Sequence, residues 1–121
     1  MKNLEKKVTL LPTAEHQVRS LLEMTGSKSV VEGLCYEALV NGKSKYFVVF
    51  ISKNITGEIE EINKNVLIGR ATGTMRYFAT VDAARKMILE LCPNQEIVKI
   101  LKSDKELDGF LETFSKRKHT N

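Results

Sequence analysis

The groups in this 121-residue chain that could carry covalent or acid–base chemistry are few and scattered. Its two cysteines, Cys35 and Cys92, form no Cys-x-x-Cys pair. Each falls where the local pattern wants an apolar residue, which points to buried, unreactive thiols. Its two histidines, His16 and His119, have no sequence neighbour that would position a proton-transfer partner. Three or four convergent ligands are needed for zinc, and these spacings supply none. Gly69-Arg-Ala-Thr-Gly73 lacks the Gly-Lys-Ser/Thr ending of a phosphate-binding loop and reads as turn glycines. Neither enzymatic activity nor a bound metal or cofactor is expected.

Binding chemistry is better represented. Residues 65–91 read as two strands about a Gly-containing turn, followed by an amphipathic helix. This unit gathers Arg70, Arg76, Arg85 and Lys86 with Tyr77 and Phe78. Arg70, Arg76 and Lys86 could track a phosphate backbone while Tyr77 stacks on a base. Formal net charge is +4, a mild excess that suits an anionic partner without requiring one. Lys2, Lys6 and Lys7 open the chain and Lys116, Arg117, Lys118 and His119 close it; Glu58, Glu60 and Glu61 form an acidic spot between them.

The elements that must position these groups can be read from periodicity. At this length one domain with one core is expected, with Asn41–Lys45 the only plausible internal boundary. Lys6–Leu11 alternates until Leu10-Leu11 and reads as a strand ended by Pro12. Thr13 then caps a helix whose face carries Ala14, Val18, Leu21 and Leu22. Ser29-Val-Val-Glu32 has the capping-box pattern. Val31, Leu34, Cys35 and Ala38 follow at i, i+3, i+4, i+7, so a second helix is expected up to Asn41-Gly42. Tyr46–Ile51 is continuously apolar and rich in β-branched and aromatic residues, the signature of a strand covered on both faces. Residues 54–64 are ambiguous: Thr56-Gly57 reads as a turn, yet Ile55, Ile59 and Ile62 keep a helical spacing, which favours a short helical turn over an edge strand.

Val66–Arg70 and Thr74–Phe78 are the next strands. Thr80 caps a helix with the apolar stripe Ala84, Met87, Ile88 and Leu91, stopped by Pro93. Ile97–Leu101 is a short strand, and Ser103-Asp-Lys-Glu106 starts a final helix carrying Leu107, Phe110, Leu111 and Phe114. The expected fold class is α+β: a small, mostly antiparallel sheet with about four helices, in the order β-α-α-β-(?)-β-β-α-β-α.

Lys6-Lys-Val-Thr-Leu-Leu-Pro12, Gly26-Ser-Lys-Ser29 and Glu37-Ala-Leu39 together resemble, over residues 6–40, a ribbon-helix-helix DNA-binding domain. The resemblance implies a homodimer whose N-terminal strands pair across the two-fold and enter the major groove. It implies that Lys7 and Thr9 face the bases, and that Ser27, Lys28 and Ser29 hold a phosphate.

The leading expectation is thus a small, basic, non-enzymatic nucleic-acid-binding protein, DNA favoured over RNA, with Lys7, Thr9, Lys28, Arg70, Arg76, Tyr77 and Lys86 as its contact residues. The competing expectation is a protein-interaction module that regulates or inhibits an acidic partner. Its support is an excess of apolar residues, Val30, Tyr36, Leu39 and Val40, beyond what one sheet face needs. The N-terminus has no apolar signal region, and no run approaches a membrane span, so a cytoplasmic homodimer with no membrane role is expected.

Overall fold

Asn41 and Gly42 both adopt left-handed backbone angles, with φ of 52° and 78°. Two such residues in succession make the two-residue turn whose twist matches that of paired strands. The elements of the computed structural model follow from that hairpin. The structure describes residues 5–25, 30–56, 58–69 and 73–115, with side chains over 8–23, 31–53, 58–69, 73–103 and 105–112. In order they form β1 (Glu5–Ala14), α1 (Glu15–Thr25), β2 (Val30–Val40), β3 (Lys43–Thr56), β4 (Ile59–Ile68), α2 (Val81–Leu91), β5 (Ile100–Leu101) and α3 (Asp104–Ser115). The five strands make one sheet in the order β1-β4-β3-β2-β5.

The class is α+β, but several expected elements are corrected. Residues 30–40 are a strand, antiparallel to β3 from Val40↔Lys43 to Val30↔Lys53. The helical spacing misleads because the strand is buried on both faces: Val31 and Cys35 belong to one core, Leu34 and Tyr36 to the other. Burial on both faces erases the period of two. Asn41-Gly42, inside the interval considered as a boundary, is the hairpin turn.

Residues 54–56 and 59–64 are likewise strand, the end of β3 and the start of β4, paired from Thr56↔Ile59 onward. Among the described residues there are three helices rather than four. The sheet is mixed, because β1 lies parallel to β4 and β5 parallel to β2. β1 runs through Pro12 to Ala14, which is possible at a sheet edge. Thr13 is not the cap of α1: its hydroxyl donates to the Leu11 carbonyl at 3.0 Å, while the Ala14 N–H donates to Gln17 Oε1 at 2.8 Å. Residues 74–78 contribute two isolated bridges, Met75↔Ile68 and Phe78↔Tyr46, rather than a strand. The order strand–helix–helix implied by the ribbon-helix-helix resemblance is therefore not formed; residues 5–40 are strand, helix, strand, and β1 pairs within its own sheet.

Of the later elements, α2 and α3 match their sequence signals, while the strand expected over Ile97–Leu101 is only β5, Ile100–Leu101. Thr80, extended at φ −134°, accepts the Ala83 N–H through its hydroxyl at 3.1 Å, and Ala84, Met87, Ile88 and Leu91 are all buried. Ser103 Oγ accepts the Glu106 N–H, and Glu106 Oε2 accepts the Lys102 N–H at 2.6 Å, a reciprocal cap on α3.

The sheet separates two cores. On the first face, Val18 of α1 and the stripe of α2 pack on Cys35, Val48, Phe50 and Leu67. On the second, Leu107 and Phe110 of α3 pack on Leu34, Val49, Ile51, Ile62 and Val66. Gly33 sits where α2 approaches β2 most closely: a Cβ there would lie 2.5 Å from Ile88 Cγ2 and 3.1 Å from Phe50 Cε1. The backbone of Gly33 is also held by Gln95, whose Oε1 accepts its N–H and whose Nε2 donates to its carbonyl, both at 2.8 Å.

Candidate interaction surface

Strands about 4.8 Å apart make a five-stranded sheet about four spacings, or ~19 Å, across. Such a face takes two helices of about 10 Å diameter side by side. The first face has two: α1 against β1 and β4, and α2 against β2 and β3. The second face has α3 alone among the described helices, against β5 at one edge of the sheet. Beside α3 lies a groove of about 350 Å³, floored by Val49, Val66 and Phe47 and walled by Leu10, Met75 and Leu107, with the half-buried Lys64 also lining it. Leu10 is 61% exposed and its β1 neighbour Val8 49%. These are large apolar side chains in solvent on a sheet face whose other half is core.

An aromatic row borders the groove. Tyr36 and Phe47 stack at 5.0 Å and 13°, and Tyr77 meets Phe47 edge-on at 6.2 Å and 89°. Tyr77 remains 45% exposed.

Among the described residues, those expected to contact nucleic acid do not converge. Arg76 lies 5.1 Å over the Phe78 ring and 3.5 Å from Glu15 of α1, at the first face. Glu15 also takes Arg19 at 3.1 Å. Tyr77, the next residue, belongs to the second face with Phe47. This is the strand rule that neighbours point to opposite sides. Lys86 is exposed on α2, across the sheet from Tyr77, and Thr9 is half-buried on β1. The side chain of Lys7, and Ser27, Lys28, Ser29 and Arg70 with the basic tail 116–119, lie outside the described residues.

Both thiols are free and buried. Burial, with a smaller push from Glu37, raises the Cys35 thiol to about 11. Burial and then Glu32 raise Cys92. Both are therefore protonated at neutral pH and poor nucleophiles. Among the described residues no three His, Cys, Asp or Glu side chains are grouped to hold a metal, and no helix is long and apolar enough to cross a membrane.

A larger cavity, about 570 Å³, lies between Leu22, Val31, Leu91 and Gln95. It borders residues 24–30, whose side chains are outside the described set, and has no cluster of reactive groups.

Comparison of the chain with protein-family models, with curated proteins and with solved structures finds no match.

Sequence reasoning found Tyr36 as surplus apolar surface but placed it on a helix. It missed Leu10 and Met75. The available signal for Leu10 was the break in alternation at Leu10-Leu11; for Met75, nothing local distinguishes it from a core methionine.

Proposed function

We propose that the protein is a non-enzymatic interaction module that accepts an apolar, amphipathic helix of a protein partner beside α3. The observation that carries this reading is the half-covered second face, with Leu10 exposed at the groove wall. A helix laid there would complete a layer that the first face already has, in the manner of helix-in-groove recognition. Lys64 on the groove and the net charge of +4 favour acidic residues flanking the partner's apolar anchors.

Selection from a displayed library of amphipathic helices tests this reading. Peptides enriched on the protein should carry acidic residues beside their anchors. They should lose about tenfold in affinity or more on Leu10→Glu or Met75→Glu, as for removal of a buried anchor. Peptides that bind both variants undiminished would overturn it.

A second reading has its own support in the aromatic row Tyr36–Phe47–Tyr77. An exposed tyrosine at the edge of stacked rings, whose other members line a groove with Lys64, is the chemistry of a platform for unpaired bases. Single-stranded oligonucleotide binding at low salt that weakens steeply with added salt and is lost on Tyr77→Ala supports it. Absence of binding at low salt removes it. Duplex DNA has less support, because the two described hairpin side chains assigned to it, Arg76 and Tyr77, lie on opposite faces.

A further inference from the structure

The two edges of the sheet are treated differently. At the β2 side, the outward backbone of Gly33 is held by the Gln95 amide, and the Cys35 N–H donates to the Lys99 carbonyl at 3.0 Å where β5 joins. At the opposite edge stands β1, ten residues long, with β4 as its one strand neighbour among the described residues. About half of such a strand's N–H and C=O groups point away from its partner. Edge strands are normally protected by charges, proline or bulges. β1 has charges at its start, Glu5, Lys6 and Lys7, and Pro12 near its end, but none across Val8-Thr9-Leu10-Leu11. Val8 and Leu10 on the second face and Leu11 on the first are 49%, 61% and 40% exposed. Apolar side chains thus flank the open backbone above and below.

We propose that β1 pairs antiparallel with β1 of a second copy, joining two sheets into one ten-stranded sheet about a two-fold axis. A strand related to itself by a two-fold is its own complement, so one sequence supplies both sides. The axis must keep each face continuous, so paired residues share a face and their numbers sum to an even value. Centring on Lys6 or Lys7 sets like charges opposite each other, which is unfavourable. Centring on Thr9 or Leu10 brings Pro12, which has no N–H to give, into the ladder. Centring on Val8 pairs Glu5 with Leu11, Lys6 with Leu10 and Lys7 with Thr9 of the second copy. It uses Glu5 to Leu11, excludes Pro12 and opposes no like charges. This interface uses the edge of β1; it shares Leu10 with the groove wall but not Met75, and it brings the two grooves onto one continuous face.

The full-length protein with Val8→Cys tests the register. Opposed residues at the centre of an antiparallel ladder lie about 4.5–5.5 Å apart between Cα atoms, within disulfide range. Cys35 and Cys92 are buried, so the new thiol should dominate the reaction. Mild oxidation should give a disulfide-linked dimer much faster than the same substitution at Leu39, which is 77% exposed on β2, away from this edge. Sedimentation of the unmodified protein from micromolar to near-millimolar concentration should show a reversible dimer. Leu11→Glu should weaken it about tenfold or more, because it sets a like charge opposite Glu5 of the second copy and restores edge protection; its circular dichroism should be unchanged. Met75→Glu should leave the dimer intact while impairing peptide binding, which separates this inference from the groove reading. A protein that sediments as a monomer throughout, or a Val8→Cys variant that cross-links no faster than Leu39→Cys, overturns the proposal.

Discussion

The two faces of this sheet are built from the same strands yet end in different states. On the first, α1 and α2 cover the sheet, and the contacts are close enough that β2 needs a glycine beneath Ile88. On the second, α3 covers part, and the remainder exposes leucine and tyrosine. Burial on the first face is settled within the chain, whereas the second leaves apolar surface available to another molecule. Under the proposed function, fold and binding fall on opposite sides of one sheet, and substitutions should separate them.

The largest separation should come from paired truncations. Ile88→Ala removes a fully buried side chain and should cost about 2–5 kcal/mol of stability, lost transfer energy plus the cavity left behind. Leu10→Ala should change stability by no more than about 0.5 kcal/mol, as for a surface position. Denaturant unfolding of both variants measures this. Comparable losses would show that Leu10 is core and that the second face is closed.

A smaller effect tests how tightly the first face is packed. Gly33→Ala places a methyl 2.5 Å from Ile88 Cγ2 and should destabilise by about 1–3 kcal/mol through overpacking. Introduced into the Ile88→Ala protein, the same change should cost much less, since the two sites share one space. Additive effects in this double-mutant cycle would mean the strain lies elsewhere.

Legibility in the sequence follows the same division. Elements with a local chemical stop were readable: Thr80 and Pro93 bound α2, and Ser103 with Glu106 starts α3. Strand β3 was readable because six apolar residues in succession imply two covered faces. β2 was misread for the same physical reason. Once both faces are buried, strand and helix patterns overlap, and only Asn41-Gly42 and the unexplained Gly33 marked the hairpin. Residues 54–64 failed likewise, because isoleucines spaced three or four apart fit either period when the strand changes from exposed to buried along its length. The groove could not be read at all. Among the described residues it exists because a sheet two helices wide has one helix on that side, and that count is a tertiary property.

The pH dependence of stability offers a test confined to the first core. The folded Cys35 thiol lies above its ordinary value, raised by burial to about 11, so the folded protein holds that proton more tightly than the unfolded chain. Stability from this source is complete below the ordinary thiol range and declines as pH rises through that range toward 11. Cys92 acts with the same sign. So does Tyr46, which is raised by desolvation and then by its hydrogen bond to Glu37 at 3.2 Å. Melting temperature should fall between about pH 9 and 11, less steeply in Cys35→Ala than in the parent. Ellman's reagent should leave both thiols unmodified at neutral pH until denaturant is added.

The smallest expected effect concerns Arg76, the basic side chain that sequence reasoning assigned to nucleic acid. Its ion pair with Glu15 joins side chains 40% and 38% exposed, and Glu15 is shared with Arg19. Solvent screening and side-chain entropy hold such a pair to about 1 kcal/mol or less. Contact with the Phe78 ring adds a similar, partly solvated contribution. Arg76→Ala should therefore leave a folded protein, measurably but slightly less stable, with helix-peptide binding and dimerisation unchanged because both lie away from Glu15. If oligonucleotide binding exists and is centred on the aromatic row, it should respond to Tyr77→Ala far more than to Arg76→Ala. An Arg76→Ala variant that loses oligonucleotide binding while Tyr77→Ala keeps it would reverse the comparison, placing the binding chemistry on the closed face and leaving the open one to protein alone.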